Sequence, residues 1–338
     1  MDTSATFSLL ESSNWHDYEL LDTGSGLKLE RFGPYTFIRP EVQAMWEQGL
    51  PIKEWEKAHA VFQPNNEESG GHWVFKKKVE ERWEMRYDFP FSDDPVKKGA
   101  QIRFWAMTTP GRHLGVFPET AAQWEFISDA IRSRNVQPPI KVLNLFGYTG
   151  LASLTAAAAG AQVTHVDASK KSVSWARENQ ALSKLEDAPI RWIVDDALKF
   201  VEREGRRGAK YDGIILDPPK FGRGPKGEVW EVYKSLPDLL KDCRALLSDR
   251  PLFMIVTAYA VKTSAIHIGQ ALQEGISNFK GTMEIGELVS RESSAGRLLS
   301  QAVYARWKSD KLNIVFTELY RIVYHRLSLS IWLETNRG

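Results

Sequence analysis

The chain has 338 residues, with 44 Lys+Arg against 43 Asp+Glu, 43% hydrophobic residues and one cysteine, Cys243. At roughly 100–200 residues per domain the length favours two domains, and the composition excludes a disordered or fibrous chain. One cysteine excludes an intrachain disulfide and a CxxC zinc site, so a reducing cytoplasm and no metal are expected. The longest apolar stretch, residues 252–261, is far below the ~20 residues that span a bilayer, so no membrane association is expected. Residues 1–15 lack a basic start and are not expected to be a signal peptide. A net charge of +1 excludes a strongly basic nucleic-acid coat but not a local patch.

Residues 1–110 hold 13 Lys+Arg and 18 Asp+Glu, a balance of −5, which leaves +6 in residues 111–338. Short extended runs at 18–21, 28–31 and 35–39 are punctuated by Thr23-Gly24-Ser25-Gly26 and Gly33-Pro34. Longer strands are expected at 72–77, 83–89 and 102–107. Their rings (Trp73, Phe75, Trp83, Tyr87, Phe104, Trp105) read as the core of a β-rich unit rather than a base-stacking platform, which would carry excess positive charge. Lys76-Lys77-Lys78, followed by Glu80 and Glu81, reads as a solvated face. Substrate recognition is the role left open to this unit.

From about residue 138 the pattern becomes α/β. Strands are expected at 140–145, 162–166, 190–194, 213–216 and 252–257, with helices at 150–159, 169–183, 197–204 and 229–247. This alternation specifies a Rossmann-like, doubly wound parallel sheet, and such sheets bind ligands beyond the carboxyl ends of their strands. The polar residues at those ends are therefore the candidates for chemistry.

The first strand ends in Asn144-Leu145-Phe146-Gly147-Tyr148-Thr149-Gly150, where two glycines permit a tight turn and close approach to a ligand. The second ends at Asp167, followed by Ala168 and Ser169. A carboxylate 17 residues after Gly150 is placed to accept from the ribose hydroxyls of an adenosine cofactor, while Ser169 competes as the helix N-cap. After the third strand, either Asp195 or Asp196 could accept from an adenine amino group while the other caps the helix. Asp196, with Ala197, is the choice for adenine. The fourth delivers Asp217-Pro218-Pro219-Lys220-Phe221. Two prolines fix an extended turn without N–H donors, so the carbonyls and Asp217 form an acceptor-rich cup suited to an amine or a base edge.

In this order and spacing the four features resemble the class I S-adenosylmethionine-dependent methyltransferases. Within that class, NLFGYTG and DPPKF are similar to the group containing the 5-methylcytosine and 7-methylguanine methyltransferases of 23S ribosomal RNA. The resemblance covers roughly residues 111–307, including Gly115-Val116-Phe117-Pro118-Glu119, Gly296-Arg297 and Arg306-Trp307. It implies S-adenosylmethionine as cofactor, with Asn144 to Gly150 around its methionine end, Asp167 at its ribose and Asp196 at its adenine. Phe117 would close one wall, and Asp217 to Pro219 would face the methyl group.

The group's cytosine-modifying members carry a cysteine after strand five, which attacks C6 to activate an otherwise unreactive C5. The corresponding segment here, Ile255-Val256-Thr257-Ala258-Tyr259-Ala260, has none. Cys243 falls in a helical stretch and reads as a small buried residue. Methylation at nitrogen is therefore expected, on a base of ribosomal RNA. A protein side chain or small amine is the alternative within the same chemistry, and a nicotinamide-dependent oxidoreductase the alternative outside it. The loop 220–227, with Lys220, Arg223, Lys226 and Phe221, reads either as a mobile lid on phosphates and a base or as a solvated loop. Arg203, Arg206, Arg207 and Lys210 are expected at the pole opposite the site. Arg291, Arg297 and Arg306 add positive charge to the catalytic half. In the tail, Leu312, Val315, Phe316, Leu319, Ile322 and Val323 are spaced for an amphipathic helix, as added packing or a dimer contact.

Overall fold

The computed structural model describes residues 5–310, apart from residues 13, 66–69, 90–100 and 135–138. The expected tail helix lies outside them.

The N-terminal part begins with β1 (Thr6–Glu11). A five-stranded sheet follows, from β2 (Tyr18–Gly24), β3 (Leu27–Phe32), β4 (Tyr35–Pro40), β5 (Ala60–Pro64) and β6 (Gly71–Phe75), with α1 (Ile52–Glu56) between β4 and β5. Strands β7 (Trp83–Asp88) and β8 (Gln101–Ala106) form a separate antiparallel pair. Alternation decides which rings are buried: Trp83, Tyr87 and Phe104 enter the core, while Phe75 on the other face of its strand is 52% exposed.

A 3-10 turn, Pro118–Thr120, leads into α2 (Ala121–Arg132). Then come β9 (Lys141–Leu145), α3 (Leu151–Ala158), β10 (Gln162–Asp167), α4 (Lys170–Leu182), β11 (Ile190–Val194), α5 (Ala197–Arg206) and β12 (Gly213–Leu216). The chain continues through β13 (Phe221–Arg223), β14 (Val229–Glu231), α6 (Val232–Leu246), β15 (Phe253–Ala258) and α7 (Ala265–Ile276). It closes with β16 (Gly281–Arg291) and β17 (Leu298–Ser309). The large sheet has the order β1-β16-β17-β15-β12-β9-β10-β11, with β17 antiparallel to its neighbours β15 and β16. Strand order reverses between β9 and β12, so the switch point falls where Asn144 and Asp217 leave the sheet.

Both faces of this sheet are covered, which is why its strands read as nearly continuous apolar runs. Leu143, Leu145, Ile214, Leu216, Met254 and Val256 face α5, α6 and α7 in one core. The alternate residues Val142, Val163, Ile215, Phe253 and Ile255 face α2 and α3 in another.

Three elements differ from the sequence expectations. Strand β1 pairs in parallel with β16, so the first strand of the expected 1–110 unit belongs to the catalytic sheet. The helix expected over 229–247 begins at Val232, because Val229–Glu231 pairs with Phe221–Arg223. That pairing places loop 220–227 in a β-hairpin. Arg203 is not at the far pole, since it reaches along α5 to an ion pair with Asp195 at the carboxyl end of β11.

Candidate active site

The glycine loop after β9 is held in an alternating backbone conformation. Phe146, Tyr148 and Gly150 have φ of 58°, 48° and 84°, in the left-handed region that side chains disfavour. The conformation persists because the loop is pinned from several sides. The Gly147 N–H donates to the Val166 carbonyl, and the Tyr148 N–H donates to an Asp167 oxygen at 2.9 Å. Gly147 has no room for a side chain, since a Cβ there would come within 2.3 Å of the His165 ring. Behind it, Asn144 donates to Ser153, which meets His165 Nδ1. Burial pushes His165 down to about 3, so the imidazole stays neutral.

Asp167 accepts from the N–H of Tyr148 and of Ser169, while burial raises its carboxyl above the ordinary range. Ser169 caps α4 by accepting from Ser172 N–H, which frees Asp167 from that duty. Beyond β11, Asp196 caps α5 by accepting from Lys199 N–H. Asp196 thus takes the capping role through one oxygen, and Asp195 is committed to Arg203. The side chain of Thr149 donates to the Gly115 carbonyl at 2.8 Å, so it ties the loop to the preceding segment.

A cleft opens to solvent at the switch point. Of the residues singled out in the sequence, Phe117, Asn144, Phe146, Gly147, Tyr148, Thr149 and Asp217 line it. Gly150, Asp167, Ala168, Ser169, Asp196 and Ala197 border the neighbouring strand tips, outside its lining. Phe117 stands between His113, Tyr148 and Tyr259, with ring centroids 4.8, 5.9 and 5.0 Å away. Sequence reasoning missed the α2 side of the cleft (Thr120, Gln123, Trp124, Ile127) and Thr257 at the tip of β15. It also missed two groups next to the lining, Glu119 and Tyr259. A carboxylate set in the apolar run Gly115–Pro118 was the signal available for Glu119.

Asp217 is half-buried at the tip of β12. Burial and the nearby Glu119 push its carboxyl up to about 8, and no cation among the described residues draws it back down. Pro218 is buried, while the Pro219 carbonyl accepts from Trp230 Nε1 at 2.6 Å and is therefore not free in the expected cup. Trp230 packs on Phe146 at 4.8 Å, linking the hairpin to the glycine loop. Lys220 lies outside the cleft lining, with its ammonium 5.4 Å from the Phe221 ring centroid and its carbonyl accepting from Val232 N–H. Phe221, Arg223 and Lys226 sit on the exposed hairpin, Phe221 with 55% of its surface free. Arg291, Arg297 and Arg306 are each ion-paired, with Glu11, Glu292 and Glu284, so they add little free positive charge.

A crystal structure of an S-adenosylmethionine-dependent methyltransferase from Agrobacterium tumefaciens is similar over 92% of this chain and 98% of that one. The identity is 43% and the TM-score 0.80. This chain belongs to the S-adenosylmethionine-dependent methyltransferases. A family model described as conserved hypothetical protein 95 matches residues 126–243 of the methyltransferase. The ribosomal RNA large subunit methyltransferase K/L of Shewanella frigidimarina is 35% identical over 136 residues, 40% of this chain and 18% of that protein. The putative ribosomal RNA large subunit methyltransferase YwbD of Bacillus subtilis is 26% identical over 72% of this chain and 58% of that protein. The methyltransferase spans only 15% to 24% of the first four curated relatives it matches.

The cofactor of this methyltransferase is S-adenosylmethionine. The residues fit it: two half-buried acids, Asp167 and Asp217, stand at strand ends around a strained loop, and no cation among the described residues offsets Asp217. No helix among the described residues is long and apolar enough to cross a membrane.

Proposed function

We propose that this methyltransferase modifies a nitrogen of a base in ribosomal RNA, in the cytoplasm. The names of the curated relatives support the RNA class, and the position of Asp217 supports the nitrogen. S-adenosylmethionine supplies a methyl group already activated on a sulfonium. The protein therefore needs chiefly to align the acceptor nitrogen and to take up its proton. In this reading Asn144, Phe146, Gly147, Tyr148, Thr149 and Gly150 hold the methionine end, Asp167 the ribose, and Asp196 with Ala197 the adenine, while Phe117 walls the cleft. Asp217, fixed by Pro218 and Pro219, meets the reacting amine. Phe221, Arg223 and Lys226 contact the flanking nucleotides, and the β-rich unit of residues 1–110 assists recognition.

The observation that carries the choice of nitrogen is the state of the single thiol. Cys243 is fully buried in α6 among Leu239, Leu240 and Leu246, and burial pushes its thiol up, away from the reactive thiolate. Residues 255–260 carry no cysteine to attack C6 and so make C5 reactive. The test is incubation with radiolabelled cofactor and ribosomal RNA, intact subunits or protein extract, followed by nucleoside analysis. Label in an N-methylated nucleoside is expected; label in 5-methylcytosine or in protein alone would overturn the reading.

A further inference from the structure

Glu119 has no assigned role, and it is unusual as a carboxyl only 4% exposed beside an active-site cleft. Its backbone is fixed from the far N-terminal region. Ser12 Oγ donates to the Glu119 carbonyl and accepts from the Ala122 N–H, bridging the start of α2. Trp15 Nε1 donates to the Pro118 carbonyl at 2.9 Å. The neighbouring Phe117 ring packs against Tyr259. The Tyr259 hydroxyl is sealed from solvent, lies toward Glu119 with Asp217 also in its field, and makes no close hydrogen bond to a described residue. A buried donor without a close hydrogen bond is costly, so one in the field of two carboxyls calls for a function. Ala260, the next residue, has a φ of 54° in the left-handed region, a second cost borne at the same strand tip.

We propose that Glu119 and Tyr259 form a positioning pair behind Asp217, holding its carboxylate as the acceptor of the proton that the methylated nitrogen releases. The N–H bond breaks, its electron pair stays on nitrogen, and an O–H bond forms on Asp217. Neither member of the pair touches the substrate. Glu119 acts through its charge, because two nearby carboxyls resist ionising together and the second therefore becomes more basic. Tyr259 supplies a hydroxyl that donates to the Asp217 carboxyl once it is ionised. The other groups facing Glu119 lie on the N-terminal sheet: Lys28 and Arg39 favour its ionised form, Glu30 opposes it, and Tyr18 is also within its field. Glu30 is held bidentately by Arg39 at 2.7 and 2.8 Å, so this neighbouring charge is fixed in place. In this way the N-terminal sheet sets the basicity of a residue at the tip of a catalytic strand.

The inference rests on the proposed nitrogen chemistry, but its test is independent of the RNA. Carboxyl-labelled aspartate is incorporated into the full chain, and the Asp217 signal is assigned by its loss in Asp217→Asn. Carbon NMR then follows its titration. A wild-type midpoint near pH 8 is expected, falling by about one pH unit in Glu119→Gln and rising in Tyr259→Phe, which removes a donor to the ionised carboxyl. Tyr259→Phe keeps the test decisive if Glu119→Gln does not fold. An unmoved midpoint in the folded variants, or a wild-type midpoint near 4, would overturn the pair. With ribosomal RNA as acceptor, the acid limb of the methyl-transfer rate should move with the midpoint. A moved midpoint with no label in RNA would leave the pair standing and defeat only the choice of substrate.

Discussion

The two sides of the switch point treat their acids differently. On the β9–β10–β11 side every acid is tied down: Asp167 takes two backbone N–H groups, Asp196 one, and Asp195 an arginine. On the β12–β15 side the buried Glu119 raises the half-buried Asp217, and the buried Tyr259 hydroxyl makes no close hydrogen bond to a described residue. In the proposed function the first side holds a ligand of fixed shape. The second stores electrostatic tension, as expected where a proton must move.

The largest effect should come from breaking the tense side. Asp217→Asn should lower methyl transfer by about 10²- to 10⁴-fold while leaving cofactor affinity by calorimetry nearly unchanged. The same variant should be more stable than wild type in mild alkali. The Asp217 carboxyl titrates near 8 in the folded chain and near its ordinary 3.8 when unfolded. Between those values the folded state holds more protons, so stability falls as pH rises from about 4 to 8. Thermal melts at pH 8.5 should therefore favour Asp217→Asn, with the difference vanishing toward pH 4; a less stable variant at pH 8.5 would contradict the shift.

Breaking the tied side should do the reverse. Asp167→Ala should weaken cofactor binding by about 10- to 100-fold, the worth of charge-assisted hydrogen bonds, and unchanged affinity would remove Asp167 from the site. Gly147→Ala should cost about 1–3 kcal/mol in denaturant melts, because its Cβ would collide with a neutral, immobile His165. The smallest effect belongs to the hairpin. Phe221→Ala should raise the KM for RNA by about 10-fold without altering cofactor affinity, since an exposed ring contributes only stacking.

The sheet and the strand-tip acids were legible because each is local. Apolar runs bounded by turns mark β9 to β12, and Asp167, Asp196 and Asp217 each follow such a run directly. The methyltransferase class was legible from the same residues. What escaped depended on partners distant in sequence. The strand β1 acquires its place only by pairing with β16, some 280 residues later, and its half-exposed pattern carries no signal of that. Asp196 was rightly placed at the head of a helix, but the cap and the adenine contact could not be separated from sequence, since both ask for the same residue type. Glu119 entered only as the last residue of the Gly115–Glu119 segment, with no role of its own. Its burial comes from Ser12, Trp15 and Tyr259, which no spacing rule connects. Arg291, Arg297 and Arg306 looked like free cations for the same reason, their carboxylate partners being visible only in the fold.

The most direct test of the account separates holding from transfer in one experiment. Wild type and Asp217→Asn are each saturated with radiolabelled S-adenosylmethionine, mixed with ribosomal subunits or their RNA, and followed through a single turnover. Equal cofactor loading is predicted, with label reaching an N-methylated nucleoside at full rate only in the wild type. Equal rates of transfer by the two proteins would contradict it.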